Sequence, residues 1–230
     1  MVSHNKLICM LLLLVFVSCS STQQVYIQTI RTAIKENPDS SYLLADIKNS
    51  PSDLLYVRIA ERPRAVMALA FIENNEYKWV SADNAMLIEV AGRVTRLVGI
   101  KDKLNYVGNL DKDPLKTFSK IDQRSSWSSD IDYGQNNFGA KIQSEFKVLK
   151  NADLTIDQKS VSATMVKELV SFSLSENEVQ QWTNKYWYHS ESGQLLKSVQ
   201  KISPDSDIYS LTYVSRIARL PIASSLLAGE

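Results

Sequence analysis

Few residues of this 230-residue chain have a type and spacing that could do chemistry. Asp130 and Asp132 stand two apart in Trp127-Ser128-Ser129-Asp130-Ile131-Asp132-Tyr133. On a strand, alternation places both carboxylates on one face with Ile131 opposite. Two carboxyl groups flanking a sugar ring are what glycoside hydrolysis needs. Trp127 and Tyr133 would then offer stacking surfaces to a saccharide. The same spacing also fits a solvated loop whose acids shape turns. His189 is the only histidine beyond the first eighteen residues, set between Tyr188 and Ser190 beside a turn. A lone imidazole makes no metal cluster without carboxylates gathered around it in space. His189 therefore reads as a surface or turn residue. No Gly-x-Ser-x-Gly, phosphate-binding loop or Gly-x-Gly-x-x-Gly occurs. Beyond the aspartate pair, nothing implies a catalytic residue, a metal or a cofactor.

Cys19 carries a different chemistry. It ends a leader with one cation, Lys6, and an apolar run over residues 7–17. Eleven apolar residues are too few for a permanent transmembrane helix. They suit the apolar region of an export signal, with small residues at its cleavage point. Phe16-Val17-Ser18-Cys19 resembles a bacterial lipobox, in which the cysteine is lipidated and becomes the first residue. A thiolate is the side chain most readily alkylated by a lipid donor, and acyl chains then replace the leader as membrane anchor. The expected organisation is a cleaved signal peptide over 1–18, a lipidated tether over 19–24 and one mostly-β periplasmic domain over 25–230. Ser20, rather than aspartate, resembles the outer-membrane sorting signal. The expected address is the outer membrane, facing the periplasm.

Composition narrows the partners. The chain has 26 Lys+Arg and 25 Asp+Glu. Losing residues 1–18 removes Lys6 and no acid, so the remaining side chains balance. No basic field exists to attract nucleic acid. Only Cys9 and Cys19 are present, so a domain lacking the leader would have no thiol beyond the lipidated one. Its stability must come from burial rather than disulfides.

The elements that must position these residues follow from periodicity. Apolar residues recur at helical spacing over 23–36, ended by Asn37-Pro38, and a shorter helix fits 40–48. The period then changes to two. Strands are expected over 54–59, 64–73, 76–82, 85–91, 93–99, 138–149, 160–175, 180–189, 194–203 and 208–217. Asn74-Asn75 is a tight-turn signal. Residues 112–132 read as a polar loop. Roughly ten short strands predict a mainly β fold. The expected architecture is a large curved antiparallel sheet or open half-barrel with an N-terminal helix; a two-sheet β-sandwich is the alternative. Residues 77–98 and 185–199 share an aromatic strand, a glycine turn and a basic strand, a hint of internal duplication.

Two segments carry a resemblance. One is Trp79-Val80-Ser81-Ala82-Asp83 followed by Gly92-Arg93-Val94-Thr95-Arg96-Leu97-Val98-Gly99. The other is Tyr186-Trp187-Tyr188, then Gly193-Gln194-Leu195-Leu196-Lys197-Ser198-Val199-Gln200 and Ser203-Pro204. With Cys19, they make the chain resemble the YjbF/GfcB family of Gram-negative lipoproteins, the group 4 capsule family. That resemblance implies a role in capsule or exopolysaccharide production at the outer membrane, beside export proteins, and no enzymatic activity. Gly92 permits a turn. Arg93 and Arg96, three apart, would face opposite sides of a strand, and Asp83 could pair with one of them.

The expected function is a lipid-anchored, non-enzymatic accessory in capsule or exopolysaccharide assembly or export. Its partners would be the membrane, through lipid on Cys19, and polysaccharide or outer-membrane export proteins. Trp79, Asp83, Arg93, Trp127, Asp130 and Asp132 form the candidate binding surface, although Trp79, Asp83, Gly92 and Arg93 read first as scaffold. Two other functions are open: a half-barrel carrier of an apolar or acyl ligand, and a glycan-active enzyme using Asp130 and Asp132.

Overall fold

The computed structural model describes residues 44–157, 159–175 and 178–221. The leader, Cys19, the tether, the expected helix over 23–36 and the tail beyond 221 lie outside these residues.

Helix α1 (Leu44–Lys48) precedes a first meander of β1 (Leu54–Ile59), β2 (Ala65–Glu73), β3 (Glu76–Ser81), β4 (Met86–Val90) and β5 (Arg93–Val98). Next come β6 (Leu104–Val107), two 3-10 segments (Leu110–Lys112 and Pro114–Lys120), β7 (Ser126–Tyr133) and β8 (Asn137–Leu149). The chain finishes with β9 (Leu154–Ile156), β10 (Lys159–Val161), β11 (Ala163–Ser175), β12 (Glu178–His189), β13 (Leu195–Lys201), β14 (Ile208–Thr212) and helix α2 (Val214–Arg219).

Twelve strands form one antiparallel sheet in the order β5-β4-β3-β2-β1-β14-β13-β12-β11-β8-β7-β6, and β9 pairs with β10 separately. The first and last strands of the sequence join in mid-sheet, with Tyr56 opposite Thr212. The two sheet edges, β5 and β6, are consecutive in the chain. Across the gap between them Arg96 Nε donates to the Asn105 carbonyl at 3.2 Å. The sheet is therefore curled into a nearly closed barrel with one seam, not split into the two layers of a sandwich. Closure leaves few unpaired edge groups.

Local sequence explains the turns. Asn74 and Asn75 have φ of 51° and 64°, and Glu73 pairs with Glu76 across them. Two consecutive positive φ values are the requirement of a two-residue hairpin turn, which asparagine tolerates. The expected loop over 112–132 holds instead 3-10 segments and the start of β7. The polar residues Ser126, Ser128, Asp130 and Asp132 are the outer face of a wall strand, while Trp127, Ser129, Ile131 and Tyr133 point inward and are buried. The expected strand over 208–217 stops at Thr212, and α2 follows.

The barrel interior is filled by side chains such as Leu55, Met67, Trp79, Ile131, Phe146 and Val166. Burying one such large side chain stabilises by about 1.5–3 kcal/mol. Smaller clusters lie on the other face of the wall. Leu154, Ile156 and Val161 of the β9–β10 hairpin meet Leu196 and Ile217. Ile47, Tyr56 and Val214 tie α1 and α2 to β1. Lys159 Nζ donates to the carbonyls of Ile217 at 2.9 Å and Leu220 at 2.7 Å, capping the carbonyl end of α2.

The hint of duplication is not carried by this topology. Residues 77–98 span three strands, β3 to β5, whereas 185–199 form a single hairpin, β12–β13. A shared pattern of aromatic, glycine and base arises from hairpin chemistry alone.

Candidate functional site

The turn at Gly92 (φ 86°) delivers Arg93 to the start of β5 with its side chain inside the barrel. Arg93 Nε lies 2.5 Å from Asp113 Oδ2, and Nη2 lies 3.1 Å from Oδ1. Its Nη1 is 2.9 Å from Glu168 Oε1. The guanidinium also sits over the Trp127 ring at 4.1 Å. Glu168 accepts further hydrogen bonds from Ser144 Oγ at 2.7 Å, Asn184 Nδ2 at 3.1 Å and Tyr186 OH at 3.0 Å. Asp113 accepts from the Leu115 amide at 3.0 Å and so caps the second 3-10 segment.

One cation and two carboxylates thus share a water-poor interior. Burial alone would lower the Arg93 pKa, but Asp113 and then Glu168 outweigh it and hold the guanidinium charged. Burial, then Glu168, pushes the Tyr186 phenol well up, so it stays a donor. A fixed guanidinium whose charge is already matched is a structural clamp.

Gln200 on β13 completes the arrangement. Its Nε2 donates to the Gly92 carbonyl at 2.8 Å, and its Oε1 accepts from the Val94 amide at 3.2 Å. The side-chain amide acts as a strand partner for the start of edge strand β5. A buried backbone donor or acceptor left without a partner costs about 1–3 kcal/mol.

Next to this network lies an open cavity of about 790 Å3. Its wall combines the Gly92 turn, the Gly193 turn, the Pro114–Lys120 segment and α2. Phe118 stacks on Tyr188, with centroids 4.1 Å apart and rings within 4° of parallel. Arg216 covers the Tyr213 ring at 4.1 Å, and Tyr213 OH donates to Glu89. Glu89 is buried in the wall, and burial raises its pKa even though Arg216 pulls the other way. The Tyr188 hydroxyl is buried and has no hydrogen-bond partner. Both turn glycines lie close to wall side chains. A Cβ on Gly92 would fall 2.1 Å from Leu195 Cδ2, and one on Gly193 would fall 2.9 Å from Phe118 Cε1.

Of the six residues of the candidate binding surface, Arg93 and Trp127 meet in the interior, Asp130 and Asp132 share the outer face of β7, and Trp79 and Asp83 lie apart from both pairs. Trp79 is core, meeting Tyr213 edge-on at 6.0 Å. Arg93 and Trp127 are buried in the barrel. Asp83 sits in the β3–β4 turn and accepts from Ser81 Oγ, so it pairs with neither arginine. The opposed directions expected for Arg93 and Arg96 hold, since Arg96 is exposed. Asp130 is ion-paired with Lys141 Nζ at 2.8 Å, and Asp132 accepts the Gly139 amide at 2.7 Å. Both aspartates face outward on β7, away from Trp127 and Tyr133, which point inward. His189 Nδ1 lies 2.9 Å from Ser192 Oγ within its turn.

The chain matches the family model described as "Group 4 capsule polysaccharide lipoprotein gfcB, YjbF" over residues 27–214. It belongs to the YjbF/GfcB lipoprotein family. It is 30% identical to the uncharacterized lipoprotein GfcB of Escherichia coli K12 over 200 residues, covering 86% of this chain and 92% of that one. It is 29% identical to the uncharacterized lipoprotein YjbF of the same strain over 202 residues, covering 86% and 90%. The crystal structure of the hypothetical lipoprotein YmcC from E. coli K12 superposes with a TM-score of 0.73 at 28% identity, over 86% of this chain and 97% of that one. The two segments that carry the family resemblance meet in space. Gly92, Arg93 and Val94 come from the first, and Gln200 and Tyr186 from the second.

Sequence reasoning on this YjbF/GfcB-family chain missed Asp113, Ser144, Glu168 and Asn184. A signal for three of them was present. Ser144 lies between Ile142 and Phe146, Glu168 between Val166 and Val170, and Asn184 two before Tyr186. Each is a polar residue on the beat that alternation assigns to the core. Asp113 lies between the two 3-10 segments, where period two gives no such signal.

Proposed function

We propose that this chain is exported, lipidated on Cys19 and held at the outer membrane facing the periplasm. There it serves as a non-enzymatic accessory in capsule or exopolysaccharide assembly or export. The observation that carries this reading is the family match over most of the chain, in a sequence whose leader ends in Phe16-Val17-Ser18-Cys19. Among the described residues no helix is long and apolar enough to cross a membrane, and a lipid on Cys19 would supply the anchor.

Side chains such as Leu55, Met67, Trp79 and Phe146 fill the barrel interior, which favours an accessory over a carrier that stores an acyl chain among them. The void beside Arg93, Trp182 and Gln200 is about 20 Å3. A drug-sized ligand needs roughly 300 Å3 or more. Asp130 and Asp132, the acid and base of a glycan-active enzyme, are engaged with Lys141 and Gly139 on the outer wall.

Deleting the gene tests this reading. Surface polysaccharide is expected to fall and to return on complementation with wild type, but less so with Cys19→Ala. Unchanged surface polysaccharide after deletion would overturn the role, and a wild-type protein without added lipid mass would overturn the anchor.

A further inference from the structure

The cavity beside the ion network has the chemistry of a glycan site. An acyl chain needs a continuous apolar wall, because each polar group it covers loses water without replacement. A sugar instead presents C–H faces to apolar and aromatic side chains and hydroxyls that both donate and accept. The wall of the 790 Å3 cavity is mixed in this way. Leu69, Tyr77 and Leu195 supply apolar surface, while Thr117, Ser192 and Gln194 supply hydroxyl and amide groups.

Two accessible features of this wall separate it from an ordinary surface dent. Phe118, half-buried and stacked on Tyr188 with centroids 4.1 Å apart, lines the cavity with an aromatic ring. A partly exposed ring held in place by a stack is the kind of surface on which the C–H faces of a sugar pack. Arg216, half-buried over the Tyr213 ring, also lines the cavity, so the wall offers guanidinium donors beside Thr117, Ser192 and Gln194. The cavity's size accommodates several sugar rings, and its open side lets a longer polymer pass outside.

We infer that this cavity, between the Gly92 and Gly193 turns, binds a short saccharide segment of the surface polymer. The inference rests on the reading of the chain as a capsule or exopolysaccharide accessory, and it names the ligand as the polymer rather than a protein or a lipid. Binding involves no covalent step.

The test uses the full chain purified in detergent. It is titrated by calorimetry with oligosaccharides made by partial acid hydrolysis of the producing cells' exopolysaccharide, and separately with decanoate. Thr117→Trp and Ser192→Trp each fill the cavity from an exposed wall position, so at least one is expected to keep the wild-type melting temperature. Wild type is expected to bind the oligosaccharides, and the folded filling variant to bind them at least about tenfold more weakly. No oligosaccharide binding by wild type, undiminished binding by the folded variant, or uptake of decanoate alone would each overturn the site. These outcomes are separate from the gene-deletion result. Loss of surface polysaccharide on deletion together with full complementation by the filled variant would sink the cavity inference and leave the accessory role standing.

Discussion

Arg93 Nη1 on β5 lies 2.9 Å from Glu168 Oε1 on β11, although the two strands are not neighbours in the sheet. The barrel is thus clamped through its middle as well as around its wall. Asp113 binds the other side of the same guanidinium at 2.5 and 3.1 Å, so edge strand β5 is tied to both β11 and the 3-10 segment.

Removing the cation leaves two buried carboxylates facing each other. Arg93→Met is expected to lower stability by about 3–5 kcal/mol, the usual cost of stranding a buried charge. Arg93→Lys rescues little of this, because a point ammonium cannot reproduce three directed donors. Urea unfolding of the three proteins side by side decides it; a loss below about 1 kcal/mol for Arg93→Met would mean the clamp is dispensable.

Gln200 holds the Gly92 carbonyl and the Val94 amide with one side chain. Gln200→Ala is expected to cost about 1–3 kcal/mol and to loosen β5 selectively. Amide hydrogen exchange at Val94 is the sensitive readout. Exchange at Val94 that is no faster than in wild type would remove the role given to Gln200.

Burial raises the folded-state pKa of Glu89 above its ordinary carboxyl value. The folded state therefore binds this proton more tightly than the unfolded state does. The resulting contribution is full below the unfolded pKa, near 4.5, and is lost as pH climbs through the raised folded value. Glu89→Gln keeps an acceptor for Tyr213 without an ionisable group. It is expected to melt a few degrees above wild type at pH 8, with the difference closing near pH 4. A difference that stays constant from pH 4 to 8 would remove the titration from the explanation.

Asp130 and Asp132 make surface contacts only, with Lys141 and the Gly139 amide. The double variant Asp130→Asn, Asp132→Asn is expected to change stability by no more than about 1 kcal/mol. It should also leave surface polysaccharide at the wild-type level in complemented cells. A mutant that folds normally yet loses polysaccharide would restore these carboxylates as functional groups.

Much of the wall was legible in advance. Period-two alternation located β1 at 54–59 and most other strands to within a few residues, because a wall strand with one wet and one dry face must alternate. The Asn74-Asn75 turn was legible for the same local reason, since few side chains tolerate positive φ. Residues 126–133 misled because four of their residues are serine or aspartate at outward beats. Polarity on one face was read as polarity of the whole segment.

The sequence by itself determined a lipobox-like cysteine at 19, a charge-balanced composition, a mostly antiparallel β chain and membership of a lipoprotein family. All of these are written in local patterns or matched residue by residue. Only the tertiary structure decided that the sheet curls until β5 meets β6, that Arg93 turns inward to Asp113 and Glu168, and that the Gly92 and Gly193 turns share one cavity. Arg93 and Glu168 are 75 residues apart in the chain. A pairing at that range depends on strand order and sheet curvature, which no local pattern encodes.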